Sequence, residues 1–84
     1  MKLEHYVDRR RGRQTTLARD LGVDPQLVWQ WSRGVRPVPV IRCVAIELAT
    51  KRQVMRWDLR PDDWWEHWPE LVGTKGAPRL QQAA

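Results

Sequence analysis

Phenylalanine is absent from these 84 residues, and cysteine and tyrosine each occur once. The lone cysteine, Cys43, excludes an internal disulfide and suits a reducing compartment better than secretion. No apolar run approaches the ~18 residues that would cross a membrane, and the opening MKLEHYVDRRR lacks the apolar stretch of a signal peptide. The expectation is a soluble, cytoplasmic protein with no membrane contact. Glycine patterns that cradle phosphates or dinucleotides are missing. His5 and His67 stand alone, and no Cys or His lies at metal-ligand spacing from Cys43. Asp62, Asp63, Glu66 and Glu70 can be read as paired carboxylates for acid–base work, but helix-end and surface placement accounts for them without a pocket. No catalytic residue, metal or cofactor is therefore expected, and Cys43 reads as a small buried hydrophobe.

What the chain does have is tryptophan and positive charge. A domain of this size has room for a single core, and six tryptophans must supply much of it. The formal charge is +5, spread as net +4 over residues 1–36, +3 over 37–60 and −2 over 61–84. A basic front and an acidic rear suit a polyanion held on one side. An ordinary solvated surface is the plainer alternative.

Apolar spacing points to five short helices and an all-α fold. Leu3, Tyr6 and Val7 recur at helical intervals in 2–11, with Arg9, Arg10 and Arg11 at the favourable end and Gly12 as a break. Leu17, Ala18 and Leu21 form a stripe in 13–21, which meets Gly22, a C-cap candidate. Asp24-Pro25 supplies an N-cap and a first helical residue, and Leu27, Val28 and Trp31 continue to Gly34. The helix expected at 39–49 is apolar on more than one face, with Ile41, Val44, Ala45 and Leu48 on one side and Cys43 and Ile46 towards the other. It should be central or shared with a second subunit. Residues 51–60 read as an extended connection of weak strand character. Pro61 opens a last helix whose first turn carries Asp62 and Asp63, followed by Trp64, Trp65 and Trp68, and Pro69 ends it. From Gly73 onward the sequence has little to bury, so the expected organisation is a domain over 1–72 and a flexible tail over 73–84.

The informative unit is 14–34, QTTLARDLGVDPQLVWQWSRG. Gln14, Ala18, Gly22, Val28 and Trp31 stand at motif positions 1, 5, 9, 15 and 18, and the segment resembles the helix-turn-helix of phage-type repressors. Further on, RPVPVIRCVAIELAT and VMRWDLRPDDW resemble the Cro/YdaS family of prophage-encoded regulators. In that family a Pro-rich loop, an R-C-x-x-I-E helix and a W-D-L-R-P-[DN] segment follow the helix-turn-helix. The likeness covers roughly residues 2–72, departing at Lys51-Arg52, where relatives often carry Gly-Gly. It implies a compact helical repressor that binds duplex DNA, usually as a homodimer and near the nucleoid, at prophage promoters. YdaS-like members are also labelled antitoxins.

Within that resemblance, helix 24–33 lies in the major groove of a near-palindromic operator. Two tryptophans two positions apart point about 200° from each other, so Trp31 can face the core while Trp29 faces out. Gln26, Trp29, Gln30 and Arg33 are the expected base-contacting set, because an amide both donates and accepts as adenine requires and Arg matches guanine. Arg13, Gln14, Thr15 and Arg36 are the expected phosphate contacts, with Arg9 to Arg11 weaker candidates. Each has a bland alternative: Trp29 packing on the C-terminal segment or a second subunit, solvated glutamines, helix capping by 13–15, and a solvated loop cation at 36. The acidic WWEHW segment reads as core closure by Trp64 and Trp68, with Trp65 left as a dimer or partner contact. Two rival functions stay open: an antitoxin or small adaptor that binds protein through that segment, and a non-specific, architectural DNA binder.

Overall fold

The computed structural model describes residues 1–80. Helix formation follows the apolar stripes and stops where backbone geometry forbids more. α1 spans Leu3–Arg9 and buries Leu3 and Val7. It ends two residues before the expected limit because Arg10 is extended (φ −139°) and Gly12 is left-handed. α2 spans Arg13–Leu21 and α3 spans Pro25–Ser32. Their turn is closed by Gly22 at φ 69°, whose N–H donates towards Arg19, while the Val23 N–H returns to the Ala18 carbonyl. This is the αL ending that favours glycine. A Cβ at Gly22 would meet nothing within 4 Å, so Gly22→Ala should cost only the conformational term of about 1–2 kcal/mol, read as a lower urea midpoint at unchanged slope.

α4 runs Val40–Ala49 behind Pro39. It crosses α2, where Arg42 donates to the Leu21 carbonyl at 3.3 Å. Cys43 and Ile46 are fully enclosed, the cysteine as the sequence suggested. Burial pushes the Cys43 thiol up to about 11, so it stays protonated at neutral pH. The opposite stripe is not covered: Ile41 is 87 %, Leu48 58 % and Val44 41 % exposed. Lys51 and Arg52 follow with φ of 54° and 63°, the left-handed conformation that glycine adopts most cheaply. Thr50, wholly buried, donates to the Ile46 carbonyl and accepts from the Val54 N–H, which stitches this turn shut.

Two expectations need correction. The 51–60 stretch is not a weak strand; it contains α5, Arg56–Leu59. Asp58 accepts the Met55 N–H at 2.9 Å, and the buried Glu47 of α4 accepts both the backbone N–H and the Nε of Arg56. The last helix starts three residues later than Pro61, as α6, Trp64–His67. Arg60 forks onto Asp63 at 2.7 and 2.9 Å, holding that residue out of helical geometry as the N-cap (φ −151°). The guanidinium also donates to the Val38 carbonyl. A 3₁₀ turn, Pro69–Leu71, follows. Among the described residues the fold is all-helical with six α-helices rather than five.

Trp64 is 1 % and Trp68 8 % exposed, while Trp65 is half-buried. Trp64 meets Trp57 and Trp65 edge-on, at centroid distances of 5.9 and 6.0 Å. The segment after Gly73 buries more than its composition suggested, since Ala77 and Leu80 lie half-buried against the core and Leu80 shares a groove with Trp57, Trp64 and Trp65. The expectation of a flexible tail falls partly on residues 81–84, which lie outside the described residues.

Candidate nucleic-acid interface

The packing of α2 and α3 decides which side chains of α3 are available. Ala18 is 1 % exposed and Val28 is fully enclosed where α3 packs chiefly against α2, and Trp31 closes the same angle from α3. Asp24 caps α3 by accepting the Gln26 N–H at 2.7 Å, and Pro25 occupies the first helical position. At the far end the Gln30 carbonyl accepts the N–H groups of Val35 and Arg36, so the helix stops and the chain turns out at Gly34. With Val28 and Trp31 turned inward, Gln26 and Trp29 are exposed and Gln30 is half-exposed. Neither glutamine amide is bonded to another side chain or to backbone among the described residues, which leaves both free to donate and accept. The two tryptophans that stand two positions apart in the sequence are thereby separated, with Trp31 in the core and the ring of Trp29 at the surface.

Arg33 behaves differently from its neighbours on the helix. Its NH1 and NH2 donate to both oxygens of Asp8 at 2.9 Å, and NH1 also donates to Glu4 at 3.0 Å. The guanidinium is thus folded back onto α1 and does not project with Gln26 and Gln30, because two carboxylates one helical turn apart offer it a ready-made fork. The Arg33 hydrogen bonds hold the Asp8 carboxyl below its ordinary value of 3.8, with burial opposing them. A depressed acid contributes stability that is present above its unfolded pKa and lost as pH falls through the lower folded value. The clamp is therefore intact across the neutral range.

The first turn of α2 gathers Arg13, Gln14 and Thr15, while Arg36 lies in the loop past the far end of α3. Gly12 brings no capping side chain, so the N–H groups of Gln14 and Thr15 have no partner among the described residues. Gln14 donates through Nε2 to the Pro25 carbonyl at 3.0 Å, tying the start of α2 to the start of α3, and keeps its second amide hydrogen. Arg13 donates to the Tyr6 carbonyl at 3.0 Å and lies over the Tyr6 ring at 4.1 Å, so it braces α1 as well as carrying charge. Thr15 and Arg36 are exposed. Among the described residues no carboxylate lies within ion-pair distance of Arg9, Arg10, Arg11, Arg19 or Arg36, whereas Glu4, Asp8, Glu47 and Asp63 are each paired. Exposed Arg19, four residues after Thr15 on α2, extends this cationic edge; its i, i+4 spacing was the signal that sequence reading passed over. The arrangement is an uncapped helix N-terminus with surrounding cations, able to hold anionic oxygen, beside a helix face of amides and an aromatic ring.

The remaining charges lie elsewhere. Arg56 and Arg60 are spent on Glu47 and Asp63 in the α4–α6 half. No helix among the described residues is long and apolar enough to cross a membrane.

The same segments match known proteins. The family model described as "Bacterial toxin YdaS" covers residues 5–67, from within α1 to the end of α6. A protein of Escherichia coli (strain K12) named "Putative transcriptional regulator YdaS" is 48% identical over 69 residues, an alignment covering 76% of this chain and 70% of that one. A match that runs through every helix described above and carries this identity settles the relationship: the chain belongs to the YdaS family.

Proposed function

We propose that this chain is a transcriptional regulator that binds duplex DNA as a homodimer, represses from a near-palindromic operator and lays α3 in the major groove. The observation that carries this reading is the outer face of α3, where Gln26, Trp29 and Gln30 stand uncommitted while Val28 and Trp31 are enclosed. Gln26 and Gln30 lie one turn apart and match the N6/N7 edge of adenine. Trp29 suits a thymine methyl or the sugar wall. Thr15, the free N–H groups of α2, Gln14 and Arg36 suit phosphate, and Arg13 adds its charge from its brace on Tyr6. Arg33 joins the base contacts only by leaving Asp8 and Glu4. The name of the Escherichia coli relative agrees with a regulator. Two copies would set their recognition helices roughly 34 Å apart, with specific affinity on the order of 10⁻⁸ M at moderate salt.

The test begins by selecting bound duplexes from a random pool. On the selected site Gln30→Ala should weaken binding by about 1–3 kcal/mol and leave non-specific binding nearly intact. Equal weakening on every duplex would remove Gln30 as a base reader, and failure to select any duplex would remove the proposal.

The second reading, a toxin–antitoxin component or adaptor acting through protein contacts, draws on the toxin description of the family. The acidic tryptophan segment offers such a partner little ring surface, since Trp64 and Trp68 are buried and Trp65 is half-covered. Salt-sensitive binding to random DNA separates the two, because only the regulator requires it.

A further inference from the structure

We propose that the bare stripe of α4 is the surface through which a second copy of this chain docks, by antiparallel crossing of the two α4 helices about a two-fold axis near Val44 and Ala45. Ile41, Val44, Ala45 and Leu48 recur at i, i+3, i+4 and i+7 and are all exposed, so they form one continuous strip about two turns long. The helix has two ionisable side chains besides the Cys43 thiol, and both are turned away from that strip: Arg42 reaches the Leu21 carbonyl, and Glu47, 2 % exposed, lies under Arg56. The outer face is therefore uncharged.

That absence of charge suits a second copy as the occupant. Two copies of a +5 chain repel each other across most of their surface, and a strip without charge is where they can approach with no ion left unpaired. A two-fold interface must also be complementary to itself. An antiparallel crossing meets that condition by setting Ile41 of one copy against Leu48 of the other, with small Ala45 at the centre permitting an interaxial distance near 8 Å.

Area sets the strength. The strip leaves on the order of 300 Å² of apolar surface open per copy, so a pair buries less than the ~1,200 Å² of a stable free complex. The dimer should be weak alone, with a dissociation constant on the order of 10⁻⁴ M, and should close on an operator that holds both copies. This last step rests on the regulator reading; association through α4 does not.

The two are separated by measuring mass without DNA. In sedimentation equilibrium of the full chain from about 10 µM to about 1 mM, the average mass should climb from the monomer's 10.0 kDa towards twice that value. Ile41→Gln combined with Leu48→Gln, at exposed helical positions that tolerate glutamine, should raise the dissociation constant at least tenfold while circular dichroism stays unchanged. Ala45→Cys should oxidise to a covalent dimer, since the native Cys43 is enclosed and does not compete. Three results would overturn the proposal: a wild type that remains monomeric throughout, a double variant that associates like wild type, or an Ala45→Cys chain that fails to cross-link where wild type is dimeric. A wild-type chain that dimerises this way yet binds no duplex would leave the α4 surface standing and sink the regulator.

Discussion

Trp64→Ala is expected to remove about 3–5 kcal/mol of folding stability, the cost of emptying a large aromatic site in a packed core. Trp64 is the largest fully enclosed side chain and sits between the rings of Trp57 and Trp65, so the loss includes edge-to-face contacts as well as area. A domain of this size holds on the order of 5–10 kcal/mol in total. The melting temperature should therefore fall by roughly 15–30 °C, followed by circular dichroism on heating. Trp65→Ala is the internal control: half-buried and at the edge of the cluster, it should cost clearly less. Equal losses would mean that the two rings share the burden and that Trp64 is not the keystone of the α5–α6 end.

Glu47→Ala should be the next largest loss, about 2–3 kcal/mol, because it strands two donors of Arg56 in a covered position. The Glu47 side chain is 3 % exposed, and one oxygen accepts both the backbone N–H and the Nε of Arg56 at 3.3 Å. The Arg56 side chain is 18 % exposed and its guanidinium lies 5.5 Å from the Trp68 ring centroid. Water can recover part of its hydration, which keeps the figure below that of a fully sealed pair. Glu47→Gln preserves an acceptor and should lose about half as much. Urea unfolding of both variants checks the order. If glutamine is as damaging as alanine, the charge and not the hydrogen bond holds α5 to α4.

The second of these variants marks where sequence reading stopped. The apolar stripe of α1 was legible from Leu3 and Val7, and the α2–α3 joint from Ala18, Gly22, Asp24, Val28 and Trp31, because each depends on neighbours within a few residues. Helical spacing, a left-handed glycine and an Asp-Pro cap act locally, so the sequence carries them openly. α5 was invisible for the opposite reason. RWDL is one turn long, too short to pay for its own nucleation, and its start is held by Asp58, which accepts the Met55 N–H, and by Glu47, nine residues before Arg56, which accepts the Arg56 N–H. The late start of α6 has a similar origin, since the Arg60 that forks onto Asp63 is also anchored by the distant Val38 carbonyl.

For the candidate site the division is similar. Periodicity separates Trp29 from Trp31 and places Gln26 and Gln30 on the outer side of α3. It gives Arg33 the same direction, and there the fold overrules it: a long flexible side chain goes to the strongest partner within reach, and α1 brings Asp8 and Glu4 to that spot. Arg13 and Gln14 are likewise drawn partly inward, to the carbonyls of Tyr6 and Pro25.

By itself the amino-acid order determined an all-helical chain, the helix breaks of its first half, the inward and outward faces of α3 and the uneven charge, because these follow from torsion preference, helical period and composition. Only the tertiary structure decided that the larger apolar stripe of α4 faces outward, that Arg33 is clamped, and that a one-turn helix forms at 56–59. Those outcomes depend on which distant groups arrive together, and pairwise attraction between side chains far apart in sequence leaves no periodic trace.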